Sequence, residues 1–298
     1  NSASRYGGGA IDGTLYQCTL ASNSAWEGGG VFRSDLYRCT LASNSADYSG
    51  GGMYFGALYN CLVFSNSAAA NGGGVSWATL YNCTLVGNAA ARGGGVYQSA
   101  LLNGIAYYNT APDGANYESN STLSFCCTTP MPTNGAGNIT NAPQFVSAAA
   151  RDYRLTLSSP CVNTGTNQPW MTGATDLRGN PRIAYGTVDR GAYEQQGLWD
   201  DAITVSDGWK YLAWFGYFYP YENGWLYHAE HGWLFGVGTS TSSIWFWSPS
   251  LAWLWSGSSV YPFLWHNAGG AWLYYYPGSG NGSGGWFYNY GTGMNEWH

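Results

Sequence analysis

The sequence predicts an all-β protein: a right-handed parallel β-helix, or solenoid, followed by a small antiparallel β domain rich in Trp and Tyr. Three observations predict this fold class. An Asn-centred motif recurs at intervals of 21 or 22 through position 111, a glycine triplet follows each of its first five copies, and 13 of the 16 Trp lie from Trp199 onward. We assign the β-helix repeats to residues 1–125, a closing segment to 126–196 and the Trp-rich domain to 197–298.

The Asn motif defines the repeat. Its copies, Asn-Ser-Ala or a close variant, begin at Asn1, Asn23, Asn44, Asn66, Asn88 and Asn109. A unit of this length holds two or three short strands, is too short for paired helices and lacks the leucine-rich pattern. Because equivalent residues of a β-coil stack about 4.8 Å apart, we expect a ladder of side-chain amides at a position that tolerates the αL turn bending the coil. The alternative is a solvated polar turn.

The glycine triplets occupy the same place in every repeat, at residues 7–9, 28–30, 50–52, 72–74 and 93–95. Glycine-rich loops can cradle phosphate groups, but here no Lys, Ser or Thr follows in the order of a P-loop. Their regular recurrence therefore favours turn geometry.

Four cysteines also share one position of the repeat. Cys18, Cys39, Cys61 and Cys83 follow one another at intervals of 21, 22 and 22, and Gly104 takes the fifth place. Stacked Cβ atoms about 4.8 Å apart with parallel bond vectors do not suit a disulfide, so we predict an internal stack of buried thiols. A metal site is the alternative, but ligands on one line cannot surround a tetrahedral ion.

The other three cysteines, Cys126, Cys127 and Cys161, are interpreted as breaking the period in loop-like sequence. A disulfide with Cys161 would indicate an oxidising compartment. Since vicinal cysteines rarely bond to each other, we favour the pair Cys127 and Cys161 and expect Cys126 to stay free.

The repeats resemble those of bacterial right-handed β-helix proteins, including the chlamydial polymorphic outer-membrane proteins. The segments Ala142-Pro-Gln-Phe-Val, Asp152-Tyr-Arg-Leu, Ser159-Pro-Cys-Val-Asn-Thr-Gly, Asp176-Leu-Arg-Gly-Asn-Pro-Arg and Val188-Asp-Arg-Gly-Ala-Tyr-Glu resemble the closing segment of choice-of-anchor Q domain proteins, through about residue 196. This resemblance implies a secreted bacterial protein whose β-helix precedes a surface-anchoring tail. It implies no particular catalytic activity.

Charged residues concentrate in this closing segment, although only 9% of the chain is charged. We interpret them as ion pairs that close the last coil and shield its edge. They are Asp176, Arg178, Arg182, Asp189, Arg190 and Glu194. The junction with the Trp-rich domain is then marked by Asp200, Asp201 and Asp207.

The Trp-rich domain contains a recurring triplet of an aromatic residue, Leu or Phe, and a second aromatic residue, which predicts the short strands of an antiparallel meander. Alternation places both aromatics of a triplet on one face of the sheet and the middle residue on the other. The candidate aromatic interaction surface comprises Trp225, Tyr227, Trp233, Trp245, Trp247, Trp253, Trp255, Trp272 and Trp286. The alternative is that both faces are buried, within the domain or against the β-helix and neighbouring subunits.

Several functions are disfavoured by composition. A net charge of −6, with nine Arg and a single Lys, leaves no basic stripe for nucleic acid. No apolar run approaches the roughly 18 residues of a membrane span. The His228-Ala-Glu-His231 segment does not match His-Glu-x-x-His, and in a strand its two rings would face opposite sides. We predict no metal and no cofactor.

Catalysis is a hypothesis of a different class, because many β-helices cleave glycans. Such chemistry needs paired carboxylates, or carboxylates with a basic residue. The acids of residues 1–111 are Asp12, Glu27, Asp35 and Asp47, and none forms an evident cluster with Arg33 or Arg38. We therefore expect isolated surface charges and no enzymatic activity.

We predict an extracellular or cell-surface structural protein that self-associates head to tail into a filament or surface layer. Residue 1 lies inside a repeat, and the unpaired edge of a first coil would invite another chain. The alternative is a surface-anchored carbohydrate-binding protein whose aromatic tail binds cell-wall or sheath glycan. A polysaccharide lyase or hydrolase is the third hypothesis.

Overall fold

The computed structural model describes residues 1–200, 202–221 and 223–298, so Asp201 and Glu222 lie outside the described residues. The described chain is almost entirely β and confirms the predicted fold class. It forms a parallel solenoid of about five turns, followed by an antiparallel sheet of 11 strands. Contacts divide it into two compact units, Asn1–Gln195 and Gln196–His298.

The first unit contains short strands separated by tight turns. In chain order they are β1 (Ala10–Ile11), β2 (Thr14–Tyr16), β3 (Thr19–Ala21), β4 (Ser24–Glu27), β5 (Val31–Tyr37), β6 (Thr40–Ala42), β7 (Ser45–Ser49), β8 (Met53–Tyr59), β9 (Leu62–Phe64), β10 (Ser67–Ala68), β11 (Val75–Tyr81), β12 (Thr84–Val86), β13 (Val96–Tyr97), β14 (Ala100–Leu102), β15 (Ile105–Tyr107), β16 (Thr122–Ser124), β17 (Cys127–Thr128), β18 (Phe145–Ser147) and β19 (Asp152–Leu155). A 3₁₀ helix spans Pro169–Met171.

The solenoid strands form three parallel sheets. One contains β1, β2, β5, β8, β11, β13, β14 and β16, a second contains β3, β6, β9, β12, β15 and β17, and a third contains β4, β7 and β10. Registers follow the sequence period, so that Leu36 lies beside Leu58 and Leu58 beside Leu80. These leucines are fully buried. At each inward-facing position of a sheet, the apolar side chains of successive coils stack on one another. These stacks form a continuous core along the coils.

The glycine triplets form a tight corner in each coil. The first glycine adopts a left-handed backbone, as at Gly28 with φ +65°. The second lies against the next coil: a Cβ on Gly29 would sit 2.1 Å from the Ser45 carbonyl oxygen. Backbone crowding thus requires glycine at this corner.

A second corner immediately precedes the ladder asparagines from Asn23 to Asn109. Ser22, Ser43 and Ser65 have φ of 55° or 56°, whereas the sequence interpretation placed the αL tolerance at the Asn itself. The left-handed residue is the one before, because the Asn backbone is held by hydrogen bonds to the next coil: the Asn44 N–H donates to Asn66 Oδ1 at 2.9 Å.

The closing segment lies along the side of several coils, and not only at the last one as predicted. The Nδ2 of Asn60 donates to the Thr175 carbonyl at 3.0 Å, and that of Asn103 donates to the Thr166 carbonyl at 2.8 Å. Asn60 and Asn103 occupy equivalent positions two coils apart. Side-chain amides at one corner of the coils therefore hold the closing segment in place.

The second unit is a single meander of neighbouring antiparallel strands. They are β20 (Ile203–Thr204), β21 (Lys210–Leu212), β22 (Gly216–Pro220), β23 (Trp225–His228), β24 (Gly232–Ser240), β25 (Ser243–Ser248), β26 (Ala252–Gly257), β27 (Phe263–His266), β28 (Ala271–Tyr275), β29 (Trp286–Asn289) and β30 (Met294–Trp297). The middle residues of the aromatic triplets, among them Leu226, Phe246 and Leu273, are buried and form this unit's own core.

Candidate interaction surface

The predicted Asn ladder is present as a file of side-chain amides. Nδ2 of Asn23, Asn44, Asn66 and Asn88 donates to Oδ1 of the next Asn at 2.9 to 3.0 Å, ending on Asn109. These side chains are buried. At its first position the Asn1 amino group donates to Asn23 Oδ1 at 3.1 Å, while the residue itself is exposed. The ladder stabilises the stacking of coils and offers no site for a ligand.

One ladder member was not predicted. Asn109 Nδ2 donates to Asn116 Oδ1 at 3.2 Å, and Asn116 Nδ2 donates to the Thr129 carbonyl at 2.8 Å. Asn116 follows Asn109 so closely along the chain because it stands at the third place of Gly114-Ala115-Asn116, which aligns with the glycine triplets. It ends the ladder.

The cysteine stack is present, with two corrections. Cys39, Cys61 and Cys83 are buried, whereas Cys18 is half-buried. Cys126 does not break the period: it lies one full repeat after Gly104, and its Sγ donates to the carbonyls of residues 101 and 124 just as Cys83 Sγ donates to those of 58 and 81. Burial raises the pKa of Cys126 to about 12, so this thiol is inert.

The candidate disulfide residues lie together as free thiols. Cys127 and Cys161 are both buried, with no S–S bond between them. A hydrogen bond with Cys161, reinforced by burial, raises the pKa of Cys127. The predicted disulfide is not formed here, and its formation in an oxidising compartment stays a prediction.

The charged residues of the closing segment form a buried network. Arg182 Nη2 donates to Glu194 Oε2 at 2.8 Å, and both side chains are completely buried. Burial raises the pKa of Glu194, and the Arg182 guanidinium opposes that shift. Asp189 accepts backbone N–H groups of Asn163 and Gln195, each at 2.6 Å. The carboxylates are thus bonded to donors of the segment itself, and the network is structural.

Two of the acids considered for catalysis, Asp12 and Asp35, line one open depression of the solenoid together with Arg33. Asp12 Oδ1 lies 3.3 Å from Arg33 Nε, a contact that the sequence interpretation missed because the two residues are one coil apart. Asp35 Oδ1 accepts the Ala57 N–H at 3.1 Å. Glu27 is half-buried and Asp47 is exposed. Both bonded acids are explained by contacts between coils.

The two histidines of the His-Ala-Glu-His segment lie on the same side of the sheet, with ring centroids 4.7 Å apart. The prediction of opposite sides was wrong because only His228 belongs to a strand, and His231 follows it in the turn. His228 Nε2 bonds the Phe215 carbonyl at 2.6 Å, and its Nδ1 accepts the His231 N–H at 3.1 Å. Within the described chain, no group of three His, Cys, Asp or Glu is arranged to hold a metal ion.

The tail sheet presents the flanking aromatic side chains of its triplets on one face. Alternation buries the middle residue of each triplet and leaves the flanking rings at least partly accessible. Trp233, Trp245, Trp253 and Trp286 are exposed; Trp225, Tyr227, Trp247, Trp255 and Trp272 are half-buried. We call the side of the sheet that bears these residues the aromatic face.

Rings on the aromatic face are aligned across strands. Trp245 pairs with Trp255, Trp255 with Trp265, and Trp265 with Trp272, which places a file of four Trp on β25 to β28. The last two rings are T-shaped, with centroids 5.6 Å apart. The Trp255 indole N–H donates to Ser243 Oγ at 3.0 Å. Edge-to-face packing between neighbouring rings restricts their orientations.

Comparison with known proteins assigns the chain to no family. No protein-family model matches the chain, and no curated protein matches it either. In the part of the chain that the structure describes, no helix has both the length and the apolar composition that crossing a bilayer requires.

Proposed function

We propose that this chain is a non-catalytic surface protein in which the solenoid is a scaffold and the tail binds polysaccharide through its aromatic face. The observation that carries the proposal is the exposure of rows of Trp and Tyr on one side of a sheet whose other side is buried. Aromatic rings offer apolar faces together with indole N–H and phenol O–H groups. Sugar rings present the complementary combination of apolar C–H faces and hydroxyls.

The number of exposed rings on the aromatic face supports the proposal, since Trp233, Trp245, Trp253 and Trp286 are all exposed. Soluble monomers seldom expose large contiguous apolar patches, and those that exist commonly mark a binding surface. In the solenoid, the Asn ladder and the thiol stack are hydrogen-bonded between coils, and the Arg182–Glu194 pair is buried. These features suit a spacer that holds the binding unit, at a cell surface or outside the cell.

Co-sedimentation of the full chain with insoluble polysaccharides tests this function. Wild-type protein is expected to bind at least one polymer, and the exposed tail residue Trp286, replaced by Ala, should weaken that binding. Trp77→Ala is the matched control, because Trp77 is 48% exposed on the solenoid against 46% for Trp286. Equal loss in both variants, or no binding by the wild type, would contradict the proposal.

Self-association is the second candidate, favoured by the same large apolar face. A second copy covering the face would produce a concentration-dependent dimer in sedimentation velocity that Trp286→Ala weakens. Head-to-tail assembly through the first coil stays a prediction from the sequence. Negative-stain images that show only single particles at high concentration would argue against it.

A further inference from the structure

The aromatic face contains two depressions on its last four strands. The first, which we call the Trp272 depression, is lined by Val260, Phe263, Trp272 and Tyr290. The second, the Trp286 depression, is lined by Tyr276, Ser279, Trp286 and Asn295. Their volumes, about 430 and 500 Å³, fall in the range of roughly 300 to 1,000 Å³ that small-molecule sites occupy.

The two depressions differ in polarity. Only apolar and aromatic side chains line the Trp272 depression. In the Trp286 depression, the Tyr276 hydroxyl donates to Asn295 Oδ1 at 3.1 Å, and Ser279 Oγ accepts the Trp286 backbone N–H at 3.0 Å. An exposed ring beside hydroxyl and amide groups can both stack on a sugar and bond its hydroxyls.

A pair of tyrosines connects the depressions. Tyr274 and Tyr288 are direct cross-strand partners on β28 and β29. The Tyr274 ring contacts Tyr276 of one depression at 5.3 Å, and the Tyr288 ring contacts Tyr290 of the other at 4.9 Å. Trp272 and Tyr276 are four residues apart, or about 13 Å along a strand. A linear ligand lying along β28 and β29 would reach both depressions.

The chemistry of this surface matches an uncharged ligand. Residues 211–298 contain no Lys or Arg, and their acids are Glu222, Glu230 and Glu296. Glu296 lies on the other side of β30 from Asn295, where its carboxylate accepts from Thr292 Oγ1 and His298 Nε2 at 2.8 and 3.0 Å. Glu230 accepts the Tyr275 O–H and the Gly278 N–H. An anionic polymer would find no cation opposite it.

We infer that the Trp272 and Trp286 depressions are two subsites for one uncharged linear polysaccharide that runs along β28 and β29 across Tyr274 and Tyr288. The inference rests on the proposed function and specifies its site and ligand class. Stacking at each end and hydrogen bonding at the Trp286 end fix the ligand.

Calorimetric titration of the full chain with neutral β-linked oligosaccharides, from disaccharide to hexasaccharide, tests the inference. Trp272→Ala and Trp286→Ala are each expected to weaken hexasaccharide binding about tenfold, or 1.4 kcal/mol. A disaccharide is too short to bridge about 13 Å, so one of the two variants should bind it as the wild type does.

Two controls separate this site from the rest of the face. Trp253→Ala removes an exposed ring of the same face outside the depressions and should weaken binding less than Trp286→Ala does. Trp272→Phe and Trp286→Phe keep a ring and should keep most of the affinity. Circular dichroism of each variant checks that the tail stays folded.

The preference for an uncharged ligand can be measured separately. The carboxymethylated form of a bound polysaccharide should bind more weakly than the neutral form, and affinity for the neutral form should stay constant as salt rises. If Trp253→Ala is as damaging as Trp286→Ala, or only the anionic polymer binds, the inference fails while the proposed function stands. If no polysaccharide binds, both fail; a dimer lost in Trp286→Ala would then assign the site to a second copy.

Discussion

Asn66 shows how many hydrogen bonds between coils one side chain of the solenoid makes. Its Oδ1 accepts both the backbone N–H and the Nδ2 of Asn44, and its own Nδ2 donates to Asn88 Oδ1. All three side chains are buried. A ladder of this kind therefore satisfies backbone and side-chain groups of adjacent coils at once. Without the Asn66 side chain, the buried Asn44 N–H would lose its acceptor, whereas Asn44 Nδ2 would keep the Leu20 carbonyl and Asn88 Oδ1 would keep the backbone N–H of residue 66.

We expect Asn66→Ala to lower the free energy of unfolding by about 1 to 3 kcal/mol, because the buried Asn44 N–H left without its acceptor costs about that much. Urea unfolding followed by circular dichroism measures the change. Asn120→Ala, at an exposed turn, is the control and should stay within about 0.5 kcal/mol. Equal stability of Asn66→Ala and the wild type would mean that the ladder is energetically neutral.

His228 predicts how the tail responds to pH. Burial lowers its pKa to about 4, against an ordinary value of 6.5. Below about pH 6.5 the unfolded chain binds a proton that folded His228 does not, so stability should fall by up to about 1.4 kcal/mol per pH unit until about pH 4. Urea unfolding monitored by Trp fluorescence between pH 7 and 5 measures the slope. His228→Gln should reduce it; an unchanged slope would contradict this assignment.

At the scale of elements, the buried Arg182–Glu194 ion pair is expected to stabilise the closing segment. Breaking a buried ion pair leaves an uncompensated charge, which costs about 3 to 5 kcal/mol. We expect Arg182→Met to destabilise the protein by this amount in urea unfolding. The matched control is Arg154→Met, because its pair with Asp152 is partly exposed and should cost less than about 1 kcal/mol. Similar losses in the two variants would show that burial does not decide the cost.

The solenoid and its ladders could be predicted from sequence because identical residues stack on themselves at a fixed period. Asn116 and Cys126 follow that same pattern, since residue 114 begins a degenerate glycine triplet and 126 lies one full repeat after Gly104. Both could have been found by extending the alignment one more coil. The Asp12–Arg33 contact follows equally from the period.

Less of the tail's structure could be predicted from the sequence. Its aromatic triplets predicted strands and faces, because alternation is local to each strand. The depressions were not predictable, since they depend on which strands pair in which register, and the meander's turns set that register. Tyr276 and Tyr290 lie just beyond β28 and β29, outside any triplet. Sequence could therefore propose an aromatic face but not place subsites on it.

At the scale of the whole molecule, the two units have separate cores. One apolar cluster extends through the coils, and another lies beneath the tail sheet. The Trp residues are distributed unequally between the two units, because 13 of the 16 lie from Trp199 onward. Trp fluorescence therefore reports mainly on the tail, whereas circular dichroism follows strands of both units.

We expect thermal unfolding in two transitions, because units with separate cores can unfold as separate cooperative bodies. Trp emission should follow mainly the transition of the tail, which holds 13 of the 16 Trp. A neutral oligosaccharide at about 100 times its Kd should stabilise that unit by about 2.7 kcal/mol and leave the other transition in place, since a ligand stabilises only the unit that binds it. Differential scanning calorimetry with fluorescence measures both transitions.

In Trp286→Ala, the same ligand concentration should shift the tail transition less. Coincident transitions by both probes would mean that the units unfold as one body, and a ligand shift confined to the other transition would place binding on the solenoid.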